Sequence, residues 1–227
     1  MLVARREERL RTLADELGDA EVEICDVADR EAVEQLAAAV TERHPQIHLL
    51  VNNAGIPGRR SFTQIDAELL ERVIRVNYFG AVWCTRAFLP ALESAKPAHI
   101  VNIVSVAGTV ALAPSGPYTA SKHAELAFSR ALTAELRGRG ISVHTVNPGF
   151  VETEGFPQRK ALASPIFRRL VIEPDAVASH VSDVLERNRR ETFVPRWYRL
   201  AAIAQAVVPG VVARLASRTG YRPTIPP

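Results

Sequence analysis

A doubly wound α/β fold is what this sequence predicts, and three observations predict it. Short apolar runs alternate with helical patterns along the chain, and apolar strands separated by helices belong to a parallel sheet covered on both faces. Residues able to do chemistry collect just after those runs, where an open parallel sheet binds its ligands. The size fits one such unit: 227 residues, 47% hydrophobic against 23% charged, which excludes disorder, a collagen-like fibre and a multi-pass membrane protein.

Each element has its own signal. Leu10, Leu13 and Leu17 fall at helical spacing and stop at Gly18, after which Val22 to Cys25 reads as a short strand. Asp29 is placed to cap a helix that carries Val33, Leu36, Ala37 and Val40 on one face before Pro45 ends it. Ile47 to Val51 is an apolar strand, and a helix from about Ala67 to Val76 continues through Tyr78 to Leu92. A strand at His99 to Val104, a helix from about Tyr118 to Arg137 and a strand at Ile141 to Val146 complete the alternation. The composition shifts after about Glu191, where Trp197 to Leu215 is rich in Ala, Val and Leu with Arg and Pro at intervals.

Charge and cysteine usage narrow the function. Lys+Arg 28 against Asp+Glu 25 gives a net charge of +3 with no basic block, so nucleic acid is not an expected partner. Only Lys96, Lys122 and Lys160 are lysines. Cys25 and Cys84 are too few for a disulfide framework, which suits a reducing compartment, and both are expected to be buried. The start, Met1 to Arg6, has no apolar stretch of signal-peptide length, so a cytoplasmic protein is expected. His44 and His48 are separated by Pro45, and no metal site is expected. His123 is expected to face solvent or a neighbouring subunit.

Four places carry candidate chemistry. Asn52-Asn53-Ala54-Gly55 follows one strand, Ser105 follows another, and Asn147-Pro148-Gly149 makes a sharp turn ahead of Glu152 and Thr153. Tyr118 and Lys122 lie one turn apart on one face of a helix. A phenol is a poor base near neutrality, but a neighbouring ammonium stabilises its phenolate, so the pair with a nearby hydroxyl such as Ser105 suits proton transfer to or from an alcohol or carbonyl oxygen.

These motifs resemble the short-chain dehydrogenase/reductase family, in order: Asn52-Asn53-Ala54-Gly55, Asn77 in Val76-Asn77-Tyr78-Phe79-Gly80, Ser105 followed by Tyr118-Thr119-Ala120-Ser121-Lys122, and Pro148-Gly149-Phe150-Val151-Glu152-Thr153. The match covers roughly Leu2 to Val194. The resemblance implies a Rossmann-like domain over residues 1–194 and an NADP-preferring oxidoreductase acting on a secondary alcohol or ketone. Tyr118 would be the general acid/base, Ser105 would orient the substrate oxygen, Lys122 would favour the phenolate and hold the nicotinamide ribose, and Asn77 would anchor a water in the proton relay. Asp26 and Val27 would contact the adenine, Asn52, Ala54 and Gly55 would line the cofactor cleft, and Pro148, Gly149, Val151 and Thr153 would flank the nicotinamide. Arg5 and Arg6 follow what resembles the family's second strand, where arginine accommodates the 2′-phosphate of NADP and an acidic residue would select NAD; the bland reading is a solvated helix start. A homo-oligomer is the family's habit.

One departure stands out. The family begins with a strand, a Thr-Gly-x-x-x-Gly-x-Gly loop and a helix whose amides receive the pyrophosphate, whereas this chain opens inside the second strand and its first glycine is Gly18. The first βα unit is missing, which is expected to leave strand edges unpaired and a hydrophobic groove open. A start codon assigned too far downstream is favoured over a genuine shortened product or a cut chain. The alternative function is a non-catalytic scaffold or binding module that cannot hold the dinucleotide.

Two further segments are open to two readings. Glu154 to Ile172, with Phe156, Pro157, Ile166, Phe167 and Leu170, corresponds to the family's variable substrate lid and hints at a hydrophobic small-molecule substrate. Residues 195–227 form an apolar helical extension, broken at Pro209-Gly210, with Arg199, Arg214 and Arg218 beside the aliphatics. It is expected either to lie at a membrane surface or to fold back as a flap on the substrate pocket or a partner subunit.

Overall fold

The computed structural model describes residues 1–58, 60–111, 115–158 and 167–218. The chain runs β1 (Leu2–Ala4), α1 (Glu7–Leu17), β2 (Val22–Ile24), α2 (Arg30–Arg43), β3 (Leu49–Asn52) and α3 (Ala67–Ile74). A π-helical turn (Arg75–Phe79) joins α3 to α4 (Gly80–Ala95), followed by β4 (Ala98–Ile103), a 3-10 turn (Val106–Gly108), α5 (Gly116–Glu135) and β5 (Ile141–Pro148). Then come β6 (Phe150–Val151), a 3-10 turn (Phe167–Leu170), β7 (Val171–Ile172), α6 (Pro174–Glu186), β8 (Glu191–Val194), α7 (Tyr198–Val207) and α8 (Pro209–Arg218).

The local signals act as their chemistry requires. Gly18 closes α1 at φ 87°, a conformation costly for any residue with a Cβ, and its N–H reaches back to the Ala14 carbonyl. The Asp29 carboxylate accepts from the Glu31 and Ala32 amides, satisfying orphan donors of α2. Val33, Leu36, Ala37 and Val40 are all buried. The helix expected to run from Ala67 onwards does so, with the π-helical turn inside it.

The main sheet is parallel, ordered β3-β4-β5-β8. Its inner strands bury both faces, and alternate residues serve different layers. Ile100 and Val143 join α2, α4 and α5 through Val33, Leu92 and Leu132, while Val101 and Val146 pack with Val184 of α6 and Val194. This is the doubly wound arrangement that the apolar runs predict. Cys25 is buried within the first layer, but Cys84 is only partly so.

The expected open edge is present. β1 and β2 form a separate two-stranded parallel sheet, and no ladder among the described residues joins β1 to β3. Val51 pairs in register with Val101, yet Val101 is fully buried whereas Val51 remains 44% exposed. Leu49, two residues earlier and so on the same face of the strand, is exposed as well, and so are Val3 and Ile24 on the smaller sheet. Leu49 and Val51 thus lie uncovered on β3, an edge strand of the larger sheet, and Val3 and Ile24 on the smaller one, an arrangement that costs hydrophobic burial.

Candidate active site

The candidate residues converge at the carboxyl ends of β3, β4 and β5. β4 ends at Ile103, so Ser105 emerges beyond the sheet at the start of the 3-10 turn. There its Oγ accepts from the Ala107 amide at 3.1 Å and donates to the Pro148 carbonyl at 3.5 Å, tying the β4 exit to the β5 exit. Glycine at 108 lets that turn lie directly on α5: a Cβ there would stand 2.7 Å from the Lys122 carbonyl oxygen. The helix carrying Tyr118 and Lys122 is thereby pressed against the turn carrying Ser105.

Asn77 is fully buried on the π-helical turn. Its Oδ1 accepts from the Ile56 amide at 2.8 Å, and its Nδ2 donates to the Ile56 carbonyl at 3.0 Å and to Ser121 Oγ at 2.9 Å. Asn77 therefore staples the turn after Gly55 to α5, a bracing role beyond the water anchor that the resemblance implies. A Cβ on Gly55 would come within 3.6 Å of Asn77 Oδ1 and 3.9 Å of Lys122 Nζ, so Gly55, Asn77 and Lys122 are brought to one place.

Lys122 Nζ donates to the Ile103 carbonyl at 3.0 Å and to Glu125 Oε2 at 2.6 Å. Both side chains are almost wholly shielded from water, at 4% and 2% exposure. Burial would depress the ammonium, but the Glu125 carboxylate and Tyr118 more than offset it, and Lys122 is held above the ordinary lysine value. Burial pushes Glu125 up to about 7 against the pull of Lys122. Tyr118 is half-buried, with its ring 5.7 Å from that of Phe156 and tilted by 58°, so one wall beside the hydroxyl is aromatic.

Not every expected residue faces the cleft. Asn52 turns its amide inward, donating to Thr85 Oγ1 at 3.1 Å and to Asn102 Oδ1 at 2.8 Å. Asn102 continues through Ser129 to Thr145, a buried polar ladder across β3, β4 and β5, whereas the next three residues, Asn53, Ala54 and Gly55, are not buried. The Asp26 carboxyl, pushed up by burial, is held below the usual range by the Arg72 guanidinium at 2.5 Å and by the Ala28 amide. Val27 lies against Gly80, where a Cβ would meet it at 2.8 Å. Arg5 and Arg6 are exposed at the end of β1, with Arg6 3.8 Å from Glu154. Gly149 sits under Tyr198, whose ring would lie 2.1 Å from a Cβ. Val151 pairs with Ile172, and Thr153 Oγ1 accepts from the Phe156 amide at 3.0 Å. Within the segment read as a lid, residues 159–166 and the Phe167 side chain lie outside the described residues.

Sequence reasoning missed Ser121 and Glu125. The available signal was spacing, since Tyr118, Lys122 and Glu125 stand at i, i+4 and i+7 on one helix face.

Comparison with known proteins bears the resemblance out. The short chain dehydrogenase family matches residues 1–162. A Streptomyces coelicolor protein assigned as a ketoacyl reductase is 36% identical over 218 residues, which are 93% of this chain and 76% of that one. A 1-deoxy-11-beta-hydroxypentalenate dehydrogenase of Streptomyces exfoliatus is 38% identical over 143 residues, 62% of this chain, and the chain spans only 51% of its length. A single-residue variant of the actinorhodin polyketide ketoreductase, solved with NADPH, superposes with a TM-score of 0.69 at 35% identity, covering 79% of this chain and 77% of that one. The chain belongs to the short-chain dehydrogenase family, a family of oxidoreductases.

Proposed function

We propose that the chain is an NADP-preferring carbonyl/alcohol oxidoreductase in which Tyr118 transfers the proton. What supports this reading above all is the convergence of Ser105, Asn77, Tyr118 and Lys122 at the ends of parallel strands, pinned by the contacts of Gly108 and Asn77. A nicotinamide dinucleotide supplies or takes up the hydride in such chemistry. Lys122 keeps one N–H beyond its two partners, available to a ribose hydroxyl on the side of Gly55. On this reading Pro148, Gly149, Val151 and Thr153 would flank the nicotinamide, and Ala54 would line the cofactor cleft. Ser105 holds the substrate oxygen, Tyr118 gives or takes its proton, and Phe156 excludes water beside it.

The nicotinamide half of a dinucleotide is thus well provided for. Arg5 and Arg6 would meet a 2′-phosphate, with Asp26 and Val27 beside the adenine. NADPH and NADH titrated into the 227-residue chain, followed by a panel of apolar ketones, test the reading. NADPH is expected to bind more tightly by roughly tenfold, the worth of one charge-assisted contact, and to be consumed with ketone. No binding of either nucleotide would favour the scaffold reading.

A second reading concerns the tail, and a specific observation favours it. Leu200, Ile203 and Val207 of α7, at i, i+3 and i+7, are all exposed, as are Val208, Val211 and Leu215 along α8. No Asp or Glu follows Glu191, whereas Arg196, Arg199 and Arg214 do. Among the described residues no single helix is long and apolar enough to span a membrane, and the α7–α8 pair is bent by 118°. An apolar stripe edged by cations suits an anionic lipid surface, while pairing two copies would bring arginines together. Sedimentation with phosphatidylglycerol vesicles is expected to carry the chain down, and Val207→Glu to release it. Failure to sediment would leave a partner subunit as the cover. A homo-oligomer is compatible with either reading.

A further inference from the structure

The helix α7 lies between the candidate active site and the apolar surface of the tail, and its two sides meet different surroundings. We infer that α7 is the layer through which site and bilayer meet, so that the ketone or secondary alcohol turned over at Tyr118 is one dissolved in the membrane, with a long apolar body. The inference deepens the function proposed above and rests on two parts of it, Tyr118 as the proton carrier and lipid as the cover of the tail.

At about 100° per residue, Tyr198, Ala202 and Gln205 fall on one side of α7 and Leu200, Ile203 and Val207 on the other. The first side packs on the protein: Tyr198 is only 5% exposed and clusters with Val106, Phe193, Phe150 and Ala202. Its ring lies on Gly149, where a Cβ would stand 2.1 Å away, and its hydroxyl donates to the Leu170 carbonyl at 3.3 Å. Val106 follows Ser105, and Gly149 follows Pro148, whose carbonyl accepts from Ser105 Oγ. Tyr198 thus packs on the residues that come directly after both partners of the Ser105–Pro148 bond. The opposite side of the helix is open, with Leu200 at 68% and Val207 at 72% exposure.

A helix with its side chains is about 10–12 Å across, and an interfacial helix sinks its apolar face about 5–10 Å into the boundary of headgroups and acyl chains. The wall beside Ser105 therefore lies one helix below the lipid. Trp197, at the end of α7 nearest Gly149, is stacked on Tyr198 at 4.0 Å and remains 46% exposed, which suits an indole at headgroup depth. Arg196 and Arg199 flank this end and meet anionic headgroups. Each methylene added to a ketone enriches it in lipid over water by roughly fourfold. A ketone with a long apolar body is therefore met in the bilayer, and Phe156, whose ring lies 5.7 Å from that of Tyr118, gives it an apolar wall at the reacting end.

The test uses a benzophenone with a long alkyl chain, which is itself a ketone and, under near-ultraviolet light, bonds to C–H groups beside it. It is dissolved in phosphatidylglycerol vesicles and irradiated with the full chain, and the adducts are located by peptide mass spectrometry. Adducts are expected at Tyr118 and between Gly149 and Phe156, as well as along α7. Val207→Glu, or Leu200→Glu if that variant does not fold, is expected to lose both sedimentation with the vesicles and the adducts at the site. Adducts confined to α7 and α8 leave the membrane contact standing and overturn the substrate assignment. So does labelling of the site that persists in the released variant, or that is as strong from a water-soluble benzophenone carboxylate. A chain that does not sediment at all overturns the inference at its base. Labelling needs neither nucleotide nor turnover, so a chain without reductase activity still gives an answer, and the response of ketone reduction to Tyr118→Phe decides that part separately.

Discussion

Replacing Tyr118 with Phe is expected to lower ketone reduction by roughly 10²–10⁴-fold, the usual contribution of a positioned general acid, while nucleotide affinity stays within a factor of two or so. The substitution removes one oxygen and keeps the ring that faces Phe156. Lys122, Asn77 and Ser121 retain their bonds, none of which is made to the Tyr118 hydroxyl. The expected signature is a fall in kcat with little change in nucleotide Kd, measured in the chain and in a version extended upstream by a strand, Gly-rich loop and helix. Turnover that survives in both would sink the assignment of Tyr118 as proton carrier.

Gly108→Val is expected to be the most damaging single change to the site that touches no chemical group in it. Even a Cβ would stand 2.7 Å from the Lys122 carbonyl oxygen and 2.9 Å from Val104 Cγ1. The first neighbour is helix backbone, which cannot swing aside as a side chain does. Overpacking of this kind costs about 1–3 kcal/mol, and each kcal/mol lowers the melting temperature by roughly 2–4 °C in a domain of this size. Relief requires α5 to back away from the turn that carries Ser105, separating Ser105 from Tyr118 and Lys122. Thermal unfolding by circular dichroism checks the first effect, and loss of turnover in the folded variant at lower temperature checks the second. A variant with unchanged melting and activity would mean that the contact is looser than its geometry.

The strands and helices of this protein were legible because their periods are strong: strand residues buried on both faces read as apolar runs, and Asp29 and Gly18 mark helix ends by chemistry that few residues share. The site was legible in outline because its members sit just after strands or one turn apart on a helix. What stayed hidden depends on contacts across long stretches of chain. Asn52 looks like a cleft residue until Thr85, 33 positions on, and Asn102, 50 positions on, are seen to hold its amide. Glu125 three residues after Lys122 looks like an ordinary solvated helix pair; only the closure of α5 against β4, β5 and the Gly108 turn makes it a buried one. Whether Cys84 is fully covered likewise depends on how α2 meets α4, which no local pattern encodes.

The break between the two sheets means that the molecule has two stabilities. β1, α1 and β2 pack mainly on one another, and prominent ties from this unit to the remainder are ion pairs at the surface: Glu21 with Arg43 at 3.4 Å and with His44 at 2.6 Å, and Arg9 with Glu154. Exposed pairs contribute little each and are weakened by salt, whereas the β4–β5 region is held by a continuous apolar core. Residues 2–24 are therefore expected to exchange their amide hydrogens faster than the β4–β5 core does. Arg5 and Arg6, proposed above to meet a 2′-phosphate, lie at the end of β1 in this unit.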